Sequence, residues 1–131
     1  MEILLEKIGK AVLKYKGANL YLGDKHLRRH LGHATKIDLR TRHGNYPLGN
    51  KTADPFTVLS ALSKIDSELK SENDVLVHCA AGRNRSPFLV ACYIAKRNMV
   101  PFSKAVKIVK ARYPKTHIEP ELQRVGKWLF P

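Results

Sequence analysis

The chain predicts an α/β layered fold built as one domain over residues 1–131. Strand, loop and helix signals alternate along it, which is the pattern of a layered sheet-and-helix protein. Val75-Leu76-Val77 is a short apolar run of the kind that forms a central buried strand. With 131 residues and 44% hydrophobic residues the chain can bury one core, and it is too short for two.

The elements follow in order. Ile3, Leu4, Leu5, Ile8, Val12 and Leu13 fall near helical spacing with lysines between them, so residues 1–16 read as an amphipathic N-terminal helix packed on its own domain. Asn19-Leu20-Tyr21-Leu22 reads as a strand, residues 24–33 as a polar, basic helical stretch, and Lys36-Ile37-Asp38-Leu39-Arg40 as a second strand. Residues 41–54 hold Gly44, Pro47 and Gly49 and form a long loop, a place where function is often carried. Asp54-Pro55 opens a helix, with aspartate at the N-cap and proline in the first turn, and Val58, Leu59, Leu62, Ile65 and Leu69 make its apolar stripe. After Ser86-Pro87, the nearly all-apolar segment Phe88 to Ala95 reads as a buried central helix. Ser103 is the expected cap of the next helix, with Ala105, Val106, Ile108 and Val109 inward and Pro114 as its stop. Pro120 opens a last helix through Leu122, Val125, Trp128 and Leu129; Trp128 and Tyr93 are expected in or near the core, and Cys92 within it.

Composition narrows the function. Lys plus Arg outnumber Asp plus Glu 24 to 11, giving +13, a surface suited to anions: phosphorylated protein, nucleic acid, RNA included, or anionic lipid. No stretch approaches the length of a membrane span, and the N-terminus lacks the apolar core of a signal peptide. Two cysteines make no disulfide scaffold, so an intracellular, reducing location is expected, cytoplasmic or nuclear. His26, His30 and His33 are spaced to share a helical face, but no cysteine or carboxylate accompanies them, and no metal is expected.

The chemistry concentrates in Val77-His78-Cys79-Ala80-Ala81-Gly82-Arg83-Asn84-Arg85-Ser86-Pro87. A cysteine directly follows a buried strand, and an arginine and serine directly precede a helix. The connection is short and must curl, so the amides of Ala80, Ala81, Gly82, Arg83, Asn84 and Arg85 turn inward as an anion cradle. The helix N-terminus adds its positive end to the same spot. Gly82 admits backbone angles other residues resist, and Arg85 is suited to grip two phosphate oxygens at once. Such a bowl favours a thiolate at Cys79, able to attack phosphorus. Ser86 is placed to hydrogen-bond the sulfur, His78 to order the loop from behind, and Arg83 to add charge at the rim. The product is a cysteinyl-phosphate, formed without metal or cofactor.

This His-Cys-x5-Arg-Ser pattern resembles the signature of the cysteine-dependent protein tyrosine phosphatase superfamily, and the run Val77 to Ser86 is similar to its dual-specificity branch, small viral members included. Asn19-Leu20-Tyr21-Leu22-Gly23 is similar to that branch's opening strand, and Ile118-Glu119-Pro120 with Leu122-Gln123 to its last helix entry. The resemblance implies a central, mostly parallel sheet of four or five strands with helices on both faces. It implies hydrolysis of phosphotyrosine and phosphoserine/threonine in proteins, with Cys79 as nucleophile and Arg85 as phosphate ligand. The branch also uses an aspartate upstream of the cysteine to protonate the leaving oxygen. Asp54 is the acidic residue of loop 41–54, 25 residues before Cys79, and it is equally a helix cap; His43, in the same loop, is the other candidate donor. A substrate with a good leaving group needs no acid, so an RNA 5′-triphosphatase is the alternative within the superfamily, and its branch shares an asparagine at the place of Asn84. A phosphoinositide phosphatase and a phosphate-binding module without turnover complete the alternatives.

Overall fold

A computed structural model describes the backbone of residues 10–15 and the whole of residues 17–131. Among these residues the order is β1 (Lys10–Tyr15), β2 (Ala18–Gly23), α1 (Leu27–His30), β3 (Thr35–Asp38), α2 (Pro55–Lys70), β4 (Val75–His78), α3 (Arg85–Asn98), α4 (Phe102–Arg112) and α5 (Pro120–Leu129). The four strands form one sheet in the order β1-β2-β4-β3. β2, β4 and β3 run parallel, and β1 is antiparallel to β2. The expected α/β class with a mostly parallel four-stranded sheet is what the chain adopts.

The N-terminal helix expected over 1–16 is not what residues 10–15 form: they are strand β1, and residues 1–9 lie outside the described residues. Ala11, Val12 and Leu13 satisfy a strand as well as a helix. What decides is the exposed backbone of β2, which β1 pairs from Tyr15↔Ala18 back to Lys10↔Leu22 across a turn at Gly17. Hydrogen bonding to a ready sheet edge outweighs the weak helical pattern.

Alternation along the strands divides the core. Leu20, Leu22, Ile37, Val75 and Val77 join one buried cluster with the inner faces of α2 and α3. Tyr21 and Leu76 point to the other face, where Leu31, Ala34 and Leu27, from α1 and its exit, cover them. Helices thus lie on both faces but unequally, four on one side and a single turn on the other.

α3 is the centre of the thick side, buried at every position from Arg85 to Ala95, Cys92 and Tyr93 included. α2 begins as the sequence predicts, with Asp54 at the N-cap accepting from the Thr57 amide and Pro55 in the first turn. α4 begins earlier than expected: Pro101, not Ser103, is its N-cap, because the extended Pro101 offers its carbonyl to the Lys104 and Ala105 amides. The core-facing positions of α5 are Leu122 and Gly126, and a side chain at Gly126 would collide with the Phe102 ring. Trp128, expected near the core, is 73% exposed. It stands two residues past Gly126 and therefore faces away from the packed side.

The parallel register sets up the site. Gly23, His78 and Asp38 stand in one row at the carboxyl ends of β2, β4 and β3. The loops that leave this row converge, at the place where ligands bind in open α/β sheets.

Candidate active site

The loop from Cys79 to Asn84 leaves β4 and enters α3 directly. Cys79 is buried at its base, with Sγ 3.3 Å from the Ser86 hydroxyl, which in turn lies 3.2 Å from the Gly23 carbonyl. The Ser86 hydroxyl has one proton for two neighbours. Facing a thiol, it donates to Gly23 and accepts from S–H; facing a thiolate, it turns that proton to the sulfur.

Gly82 adopts φ +72, a left-handed conformation natural to glycine. A Cβ there would lie 2.7 Å from the Tyr113 hydroxyl and 2.9 Å from both the Asp24 amide nitrogen and the Gly23 carbonyl carbon. The loop therefore presses against the end of β2, where the Lys25 amide also donates to the Ala80 carbonyl. Burial pushes the Tyr113 hydroxyl's pKa up, with the negative charge of Asp24 and Cys79 acting in the same direction.

Asn84 ties three segments together. Its Nδ2 donates to the Asn50 carbonyl at 2.7 Å and its Oδ1 accepts from the Glu119 amide at 2.8 Å. Next to it the His117 amide donates to the Arg83 carbonyl. With Asn84 so engaged, no side chain caps α3, and the first-turn N–H groups remain available at the loop.

Arg85 is buried, and its Nη1 is held by loop 39–48: it donates to the Leu48 carbonyl at 3.2 Å, and to the Leu39 carbonyl and Thr41 hydroxyl at 3.4 Å each. Its Nε is buried with no partner among the described residues. A guanidinium fixed by one nitrogen, with another donor unused, is prepared to take an oxyanion.

Behind the loop is a cluster that the sequence did not announce. Asp38, buried at the end of β3, accepts from Arg40 at 2.7 Å and from Arg28 at 3.4 Å. Arg28 Nη1 also donates to His78 Nε2 at 3.1 Å, although 50 residues separate them. Arginine has no acceptor capacity, so this bond requires an unprotonated Nε2. Burial depresses the His78 pKa against the opposing pull of Asp38, which agrees with a neutral ring. Arg28 falls in the basic stretch 24–33 and Asp38 within the strand expected over residues 36–40, and neither carried a functional signal in the sequence.

The remaining candidates disperse. Asp54 is exposed; its Oδ2 accepts from the Thr57 amide and hydroxyl, and its Oδ1 has no partner among the described residues. His43 and Arg83 are exposed. His33 is paired with Asp74 at 2.8 Å, and among the described residues no three His, Cys, Asp or Glu side chains gather. Cys92 is buried and free, and burial pushes its thiol's pKa up. No described helix is long and apolar enough to cross a membrane.

Comparison with known proteins agrees with this geometry. Residues 25–126 match the family described as dual specificity phosphatase, catalytic domain. The chain is 38% identical over 69 residues to dual specificity protein phosphatase 1B of Arabidopsis thaliana, covering 50% of this chain and 41% of that protein. It is 40% identical over 48 residues to the tyrosine-protein phosphatase R622 of Acanthamoeba polyphaga mimivirus, covering 37% of this chain and 23% of that one. The matches thus span less than half of these relatives' own length. The fold superposes on the crystal structure of DUSP15 with a TM-score of 0.75 at 15% identity, over 91% of this chain and 86% of the other.

Proposed function

The chain belongs to the dual specificity phosphatase catalytic-domain family, and from that premise we propose that it hydrolyses phosphotyrosine and phosphoserine/threonine in proteins through a cysteinyl-phosphate at Cys79. The observation that carries the proposal is the pairing of a buried Cys79, in contact with Ser86, with an Arg85 whose Nε is unpartnered.

The Cys79 thiolate attacks phosphorus in line with the ester oxygen. As the S–P bond forms, the P–O bond breaks, and the leaving oxygen takes a proton from the Asp54 carboxyl. The loop amides of residues 80–85 and the Arg85 guanidinium hold the equatorial oxygens, stabilising charge where it spreads in the transition state. Asp54, now a carboxylate, takes a proton from a water whose oxygen attacks phosphorus. The S–P bond breaks, inorganic phosphate leaves, and the Ser86 hydroxyl stabilises the returning thiolate. Support for Asp54 is its place in the loop that contacts Asn84 and Arg85, together with an unengaged Oδ1. His78 serves this scheme as a positioning residue beneath the loop. A nucleophilic thiolate needs a reducing compartment, which supports a cytoplasmic or nuclear site of action.

The test is phosphate release in EDTA from phosphotyrosine and phosphoserine peptides and from 5′-triphosphorylated RNA, with Cys79→Ser as the blank. Peptide turnover abolished in Cys79→Ser is the expected result; turnover of RNA alone identifies a triphosphatase instead. Asp54→Asn separates acid from cap, since asparagine caps helices as well as aspartate. Loss of turnover with unchanged stability identifies the acid, and retention of both leaves Asp54 a cap.

A further inference from the structure

At the far end of α3 from the catalytic loop, a cavity of about 220 Å³ opens between the C-terminal halves of α2 and α3. We propose that it is a docking site for an acidic peptide segment carrying one bulky apolar side chain.

The floor is apolar. Leu62 and Tyr93 are buried beneath it, and Met99 borders it with 91% of its surface exposed. The space suffices for one large side chain, since a cavity of about 150 Å³ already admits a benzene ring. Met99 is the C-cap of α3 at φ 55 and ψ 47, a left-handed position where glycine is the usual occupant. A methionine there presents an adaptable, polarizable thioether to whatever enters.

The rim is basic. Asp66 is already occupied, accepting from the Tyr93 hydroxyl at 3.0 Å and from Lys70 at 2.7 Å. Arg97 also faces this carboxylate electrostatically. Lys96 makes no ion pair or hydrogen bond among the described residues, and it lines the same cavity. Three cations stand against one carboxylate and two helix C-termini, each equivalent to about half a negative charge. The excess is positive, on a chain of net charge +13. A cation is repelled, and a bare oxyanion leaves the apolar floor unfilled. A long acyl chain exceeds the space. An apolar residue flanked by carboxylates satisfies both floor and rim.

Arg85 and Met99 are 14 residues apart on α3, about 21 Å along its axis. A segment docked here reaches the catalytic loop only across about seven extended residues or more. As substrate docking, the proposal rests on the phosphatase reading; binding itself does not, and the two are measured separately.

The experiment is fluorescence polarisation of the whole chain with a fluorescein-labelled peptide holding one phenylalanine between pairs of acidic residues. Saturable binding is expected. It should weaken about tenfold in Lys96→Glu and about tenfold when the peptide's phenylalanine becomes serine, while inorganic phosphate leaves it unchanged. Met99→Gly should also weaken it, with a Tm at or above the parent's, so lost binding is not lost folding. Equal binding by folded Lys96→Glu and Met99→Gly overturns the proposal. So does displacement by phosphate, or retention on phosphatidylserine vesicles that Lys96 mediates when the peptide does not bind. For the catalytic consequence, a phosphotyrosine peptide with the acidic segment eight residues away should show a lower KM than one without it, an advantage lost in Lys96→Glu at unchanged kcat. No turnover of a small aryl phosphate by the parent refutes the phosphatase reading and leaves the binding result standing.

Discussion

Gly82→Ala tests whether the Cys79–Asn84 loop depends on a conformation and a clearance that only glycine provides. At φ +72 an L-residue is disfavoured by about 1–2 kcal/mol. The added methyl also meets the Asp24 amide nitrogen and the Gly23 carbonyl carbon at 2.9 Å and the Tyr113 hydroxyl at 2.7 Å. The first two are backbone at the end of β2, where Gly23 is in register with His78, so they cannot swing aside. Reaching an ordinary carbon contact requires the loop to retreat by about half an ångström, and overpacking of this kind costs about 1–3 kcal/mol. Together these give a loss of about 2–5 kcal/mol by chemical denaturation. The same retreat displaces the amides flanking Cys79. A displacement of 1 Å can cost about 10²-fold in rate, so a loss of at least about tenfold in kcat/KM toward an aryl phosphate is expected. Tyr113→Phe in the Gly82→Ala background removes one of the three contacts and should restore less than half of the lost stability. Unchanged stability and turnover in Gly82→Ala refute the reasoning, and complete rescue by Tyr113→Phe refutes its backbone part.

Asn84→Ala severs the bonds to Asn50 and Glu119, and should cost about 2 kcal/mol by denaturation and lower turnover by loosening the loop. Asp38→Asn leaves Arg40 and Arg28 without their buried counter-charge; because both arginines reach solvent, we expect a loss of about 2–3 kcal/mol rather than the full cost of a buried pair. Acid should destabilise the protein in two stages. Burial holds His78 below its ordinary pKa, so the folded chain stays neutral there while the unfolded chain takes a proton below about pH 6.5. Burial raises Asp38, but the hydrogen bonds from the Arg40 side chain and backbone, aided by the charge of Arg40, outweigh it and keep the carboxyl below its usual value. Both contributions are therefore present at neutral pH and lost on acidification, at up to about 1.4 kcal/mol per pH unit for each proton. Denaturation profiles from pH 8 down to about 2 check this, with the Asp38 stage falling below the usual carboxylate range, and His78→Asn should remove the upper stage alone.

The parts legible in the sequence were those fixed by local chemistry. Asp54-Pro55 opens α2, Val75-Leu76-Val77 lies within β4, and the spacing from Cys79 to Ser86 defines a strand-loop-helix connection that folds as read. The misses depend on what comes from elsewhere in the chain. Residues 10–15 suit either period, and only the open edge of β2 decides between them. Trp128 falls outside because Gly126, rather than a large residue, marks the close approach of α5 to Phe102. Two of the three partners of Arg85 are the backbone carbonyls of Leu39 and Leu48, which carry no side-chain signature at all. Arg28 meets His78 across 50 residues, a pairing that no local pattern encodes.

The thin face of the sheet has a consequence of its own. Tyr21 and Leu76 are sheltered by a single helical turn and its exit, so this shelter opens at less than the cost of unfolding the domain. Amides of residues 27–34 should exchange with deuterium well before those of α3. Arg28 travels with that turn, and each excursion withdraws the donor that fixes the tautomer of His78. Local opening of this thin layer should therefore loosen the underside of the Cys79–Asn84 loop before the domain as a whole unfolds.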